Sequence, residues 1–88
     1  MAYTLRYTKR ASKDLERLDL PTAQRVQRRL KELSFDPFDP VISYSLEMAR
    51  QKRSSRVGDW RIIYQVNESQ KIIEVLTIAP RGRAYRKI

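Results

Sequence analysis

Residues 72–79 of this chain read Ile-Ile-Glu-Val-Leu-Thr-Ile-Ala, apolar at odd and even positions alike. Successive side chains of a strand point to opposite faces, so this run needs cover on both and predicts a central strand. The cover must come from the rest of an 88-residue chain. With 41% hydrophobic residues it can build one core, although a chain of this size buries only about 60% of its unfolded surface. The expectation is a single domain over residues 1–88, built from two packed layers.

Tyr3, Leu5 and Tyr7 alternate with Thr4, Arg6 and Thr8, which predicts a half-buried first strand. From Lys9 to Leu20 the period becomes helical, with Ala11, Leu15 and Leu18 on one face and Thr8 as a suitable N-cap. Pro21 suits the first turn of a helix and no later one, so a second helix starts there and runs to about Ser34. Its apolar stripe is Ala23, Val26, Leu30 and Leu33, and the tight joint predicts a helical hairpin. Two X-Pro steps in Phe35-Asp36-Pro37-Phe38-Asp39-Pro40 predict a loop with both aromatics turned inward. Strand-like runs at 45–50 and 59–66 precede the 72–79 run, with turns at Val57-Gly58-Asp59 and Asn67-Glu68-Ser69. The order is strand, two-helix hairpin, then a three-stranded antiparallel meander: an α+β sandwich with the helices on one sheet face.

Charge narrows the partners. The chain carries 19 Lys and Arg against 10 Asp and Glu, a net +9. Residues 1–44 hold 9 basic and 6 acidic groups (+3), and residues 45–88 hold 10 and 4 (+6). Such a surface attracts a polyanion, either nucleic acid or an acidic protein segment. The basic residues are spread over several elements, which argues against a membrane-surface helix. No apolar run is long enough to span a bilayer, and charges stand where a signal peptide needs its apolar core, so the reading is cytoplasmic. The absence of Cys and His removes thiolate nucleophiles, Cys-based zinc sites and histidine catalysis. No cofactor or metal is expected.

Alternation along 60–66 puts Trp60, Ile62, Tyr64 and Val66 on one face and Arg61, Ile63 and Gln65 on the other. If the aromatic face packs on the helices, Arg61 points away from them. These residues resemble the RelE/ParE superfamily of toxins from prokaryotic toxin-antitoxin pairs. The likeness rests on Tyr3-x-Leu5, Ala11-x-Lys13-Asp14-Leu15-x-x-Leu18, Arg56-Val57-Gly58-Asp59-Trp60-Arg61-Ile62-Ile63-Tyr64 and Pro80-Arg81-Gly82-Arg83-Ala84-Tyr85. It implies a microbial-ribonuclease-like sheet backed by a helical hairpin. A RelE-type member is a ribosome-dependent endoribonuclease that cuts mRNA in the decoding site, without a metal. A ParE-type member shares the fold but inhibits DNA gyrase and breaks no RNA bond. A plain RNA-binding module is a third reading. The resemblance also implies an antitoxin partner whose acidic segment wraps the toxin in a hetero-oligomer.

RNA cleavage through its own 2′-hydroxyl needs a proton acceptor, positive charge on the developing phosphorane and a donor for the leaving oxygen. Arg61 suits the phosphorane, because a guanidinium is permanently charged and forks onto two oxygens. An ion pair with Glu74 or Asp59 is its structural alternative. By resemblance Arg61 and Arg81 fall on the family's two catalytic arginines. Tyr85, four residues on, serves as acid, base or stacking platform, or else anchors the tail. Arg56 falls on a family basic position, whereas Ser54 stands where a second one is expected. Lys52 is then the candidate base, with a solvated hairpin tip as the alternative. Arg50, Arg53, Arg83 and the helix residue Arg28 are candidate RNA contacts, the last belonging to a face that otherwise serves solvation.

Overall fold

A computed structural model describes residues 2–46 and 49–82, with Ala49 and Arg50 given by backbone alone. It contains β1 (Thr4–Tyr7), α1 (Lys9–Glu16), α2 (Leu20–Phe35), β2 (Tyr44–Leu46), β3 (Ala49–Val57), β4 (Trp60–Asn67) and β5 (Ile72–Pro80). The strands form one sheet in the order β1-β5-β4-β3-β2. β1 runs parallel to β5, and the other pairings are antiparallel. The expected α+β sandwich is present. The doubly apolar run becomes β5, interior between β1 and β4, while β4 takes the middle of the sheet.

The helix starts follow their caps. Thr8 accepts from the Ala11 N–H at 3.1 Å, and Asp19 accepts from the Thr22 N–H at 3.3 Å. That capping bond also holds the Asp19 carboxyl below its usual pKa. α1 is shorter than its periodicity suggests, stopping at Glu16 because Arg17 to Asp19 are needed to reverse the chain before Pro21. Leu20, read as the end of α1, opens α2 and is 70% exposed.

The core lies between α1, α2 and one face of the sheet. Ala11, Val26, Leu30 and Leu33 meet Ile62, Tyr64, Ile73, Val75 and Ile78, all at 0–1% exposure. A bulge between Ile63 and Tyr64 shifts the β4–β5 register, so Ile63 faces Thr77 and Tyr64 faces Val75. α1 closes this irregular stretch: Asp14 Oδ2 accepts from Thr77 Oγ1 at 2.8 Å and from the Ile78 N–H at 3.0 Å, while Thr8 Oγ1 donates to the Leu76 carbonyl at 2.9 Å.

Two expectations are corrected. The 45–50 run is not one strand; it divides into β2 and the start of β3, so 52–56 lies within a nine-residue strand and not at a hairpin tip. The loop aromatics do not turn inward. Phe35 belongs to the last turn of α2 and is 65% exposed, because Leu33 and Ser34 occupy the buried side. Phe38 lies under the Arg53 guanidinium, 5.1 Å from ring centroid to Cζ. Pro37 is buried in their place, and its carbonyl accepts from the Tyr64 hydroxyl at 2.7 Å.

Candidate functional site

The sheet face away from the helices carries a small apolar cluster of Ile63 and Ala79 with Leu46 and Leu76. Arg61 shares the parity of Ile63 and therefore stands on this open face. β3 places Arg56 directly opposite Arg61, and Ser54 opposite both Ile63 on β4 and Tyr44 on β2. Tyr44, Ser45, Leu46, Ser54, Arg56 and Arg61 line a cavity of about 400 Å³.

Arg61 is 7% exposed and its Nη1 donates to the Trp60 carbonyl at 3.3 Å. Its other neighbour across the sheet is Ala79, which is 1% exposed. Glu74, the suggested ion-pair partner of Arg61, instead accepts from Gln65 Nε2 at 3.0 Å, four residues along β4. Arg56 is exposed, with Nε 3.4 Å from the Gly58 carbonyl. Like charges on directly opposite residues repel. A negatively charged group placed between Arg56 and Arg61 would offset that repulsion.

Arg81 flanks the same end of the sheet. Its N–H donates to the Asp59 carbonyl at 2.8 Å, one step beyond the Trp60–Pro80 pair, and its side chain is exposed. Lys52 is half-buried, opposite Gln65, and shares a face with Ser54 and Arg56. Four residues separate Lys52 from Arg56, about 13 Å along the strand. Two long side chains at that spacing can converge on a group above Ser54, which is 2% exposed and forms the floor.

The other sequence candidates are not gathered here. Arg53 points to the opposite face, where its Nε donates to Ser43 Oγ at 2.6 Å beneath the loop. Arg28 is on the outer face of α2, beside a cleft of about 180 Å³ formed with Arg25, Arg29, Val57 and Gly58. Arg50 has its backbone in β3, but its side chain lies outside the described atoms. Arg83 and Tyr85 lie outside the described residues.

Three contributions escaped sequence reasoning. Tyr44 brings an aromatic ring, 51% exposed, to the arginine cavity; alternation in Tyr44-Ser45-Leu46 was the available signal. Arg29, read as part of a solvated face, donates from Nη1 to the Arg56 carbonyl at 2.6 Å and to Ser55 Oγ at 3.1 Å. Glu32 holds its Nε at 3.2 Å. Arg25 packs over the turn so closely that a Cβ on Gly58 would meet its Nη2 at 2.7 Å. No pattern in a single sequence marks these two arginines apart from Arg28.

A helical hairpin behind a five-stranded mixed sheet, with arginines gathered at one end of the open face, defines the RelE/ParE class of toxin fold. The comparisons agree at the level of sequence. Residues 5–85 match the family described as the ParE toxin of the type II toxin-antitoxin system parDE, and the chain belongs to that family. It is a toxin of a toxin-antitoxin system within the RelE/ParE superfamily. A RelE-like toxin protein of Escherichia coli is 27% identical over 84 residues, covering 96% of this chain and 88% of that protein. The archaeal RelE–RelB complex of Pyrococcus horikoshii contains a chain 30% identical, with a TM-score of 0.79 over 94% of this chain and 99% of its own. The RelBE2 toxin-antitoxin complex of Mycobacterium tuberculosis gives 26% identity and a TM-score of 0.80, over 92% and 100% of the two chains.

Proposed function

We propose that this toxin is a RelE-type endoribonuclease that cuts mRNA on the ribosome. The observation that carries the reading is the cross-strand Arg56–Arg61 pair, open to one side and floored by Ser54. A scissile phosphate sits between the two guanidiniums, and Arg61 forks onto its non-bridging oxygens. The 2′-oxygen of the preceding ribose attacks phosphorus, the bond from phosphorus to the 5′-oxygen breaks, and a 2′,3′-cyclic phosphate and a 5′-hydroxyl result. Lys52, in its neutral amine form, accepts the 2′-proton from its place beside Ser54, and Arg81, just past the end of β5, clamps the phosphate. Negative charge grows on the phosphorane oxygens in the transition state, so fixed guanidiniums stabilise it more than the ground state. Tyr44 offers a ring on which a flanking base stacks. Tyr85 is assigned to the proton donor or stacking role on its resemblance alone.

The toxin acts in the cytoplasm, where its mRNA and ribosome targets are, and an antitoxin with an acidic segment restrains it. Support for that partner comes from the net charge of +9 and from the RelE–RelB and RelBE2 complexes, whose toxin chains this one resembles. Among the described residues no helix is long and apolar enough to cross a membrane.

The match to the ParE toxin family favours a second reading, in which the same arginines grip DNA gyrase and break no bond. Mapping mRNA ends in a purified translation system, with and without ribosomes, separates the two. Ribosome-dependent cuts that vanish in Arg81→Ala support the ribonuclease. Absence of cuts, with inhibition of gyrase supercoiling, establishes the alternative.

A further inference from the structure

One transverse row of the open face sets a carboxylate among basic and amide side chains. Arg6 of β1 lies beside Glu74 of β5, Glu74 beside Gln65 of β4, and Gln65 beside Lys52 of β3. Arg6, Gln65 and Glu74 line a cavity of about 520 Å³ with Gln51, Gln70 and Ile72. Gln65 Nε2 donates to Glu74 Oε1 at 3.0 Å. The amide thus holds the carboxylate in place, while its own carbonyl and the second carboxylate oxygen remain acceptors. Among the described residues Glu74 forms no ion pair.

A carboxylate is a poor neighbour for an RNA backbone, which it repels. Against a base it is useful, because it accepts from N–H groups on the Watson–Crick edge while an adjacent arginine donates to a base carbonyl. Among the four RNA bases guanine presents two adjacent donors, N1–H and the 2-amino group, beside the O6 acceptor. We propose that the Arg6–Glu74–Gln65 row is a base-reading subsite for guanine. The proposal rests on the ribonuclease reading for the identity of the strand. Glu74 accepts the two guanine N–H groups, Arg6 donates to O6, and Gln65 braces the carboxylate. Arg61 and Gln65 are four residues apart on β4, about 13 Å, a span of a few nucleotides. The face between them is apolar at Ile63, and Lys52 stands beside Gln65 to hold the intervening backbone.

The test is binding of short RNAs to the full chain, followed by fluorescence anisotropy. One RNA carries a central guanine; the other carries inosine, which lacks the 2-amino group. The wild type should prefer the guanine RNA by at least about fivefold, as expected of one good bidentate base contact. Glu74→Gln should bring the two affinities together, with circular dichroism showing the fold retained. Gln65→Ala, which releases the carboxylate without removing it, should weaken the preference. Equal binding by the wild type, or a preference that survives in Glu74→Gln, overturns the subsite. Should Glu74→Gln fail to fold, an undiminished preference in Gln65→Ala overturns it equally. mRNA cleavage on ribosomes is scored separately on the same protein. Guanine preference without cleavage removes the ribonuclease reading and keeps the subsite; cleavage without preference does the reverse.

Discussion

Arg56 and Arg61 carry like charge on directly opposite residues of β3 and β4. The two differ in what a substitution should do. Arg61 is nearly enclosed and is asked for a bidentate fork, so Arg61→Lys should lose most of the cleavage rate although the charge is kept. Single-turnover cleavage on programmed ribosomes measures this, and a rate close to wild type would remove Arg61 from the phosphate. Arg56 is exposed, so Arg56→Ala should leave stability within about 0.5 kcal/mol. It should also lower the slope of log affinity against log salt by about one for RNA binding. Arg61 was legible because strict alternation sends Trp60 and Ile62 one way and Arg61 the other. Phe35 and Phe38 were misread because hydrophobicity alone does not say which side of the last helical turn a ring occupies, nor that Arg53 covers Phe38.

A second residue makes a pH prediction. Burial pushes the Tyr64 phenol above its ordinary pKa, against the smaller opposing effects of Ser43 and Arg53. A raised pKa in the folded state means the neutral phenol is favoured by folding. Its contribution is complete below the unfolded pKa of about 10 and is lost as pH rises through the folded value. Urea unfolding of wild type and Tyr64→Phe across the alkaline range should show a steeper loss of stability in the wild type. Parallel profiles would show that the phenol titrates alike in the folded and unfolded states.

At the scale of elements, α2 holds the β3–β4 hairpin through Arg29 and Arg25. Arg29→Ala removes a charged hydrogen bond to the Arg56 carbonyl and leaves buried Ser55 without that donor, a loss of roughly 2 kcal/mol. Equilibrium urea denaturation checks it; a change below about 0.5 kcal/mol would make Arg29 an ordinary surface residue. Gly58 has φ +59°, where a Cβ is strained, and Arg25 fills the space the Cβ needs. Gly58→Ala should therefore cost about 1 kcal/mol or more, and part of that loss should return in the double variant with Arg25→Ala. An additive double-mutant cycle would contradict the close approach. The turn was visible in Val57-Gly58-Asp59. The arginines that clasp it were not, since helical periodicity shows that Arg25 and Arg29 lie off the apolar stripe but not what they reach.

For the whole molecule, a net charge of +9 on 88 residues opposes compaction, and salt should relieve it. The melting temperature should rise as sodium chloride is raised from about 0.05 to 0.5 M, since the Debye length falls from above 10 Å toward a few ångströms. An acidic peptide or RNA should raise it further at low salt by binding the folded state. A flat salt response would mean that the repulsion is already balanced within the fold. The sequence by itself determined the layers: period-2 and period-3.6 patterns, the cap at Thr8, the helix start at Pro21 and the doubly apolar 72–79 run are local signals, and each acts over a few residues. It also placed Arg61 on the open face. The tertiary structure alone decided that β1 joins β5 in parallel, that β2 and β3 divide the 45–50 run, and that Asp14 reaches the β5 bulge. It alone set Arg56 against Arg61 while sending Arg53 to the other face. These outcomes depend on strand register and helix docking, in which residues distant in the chain meet, and no local period records which partner each one finds.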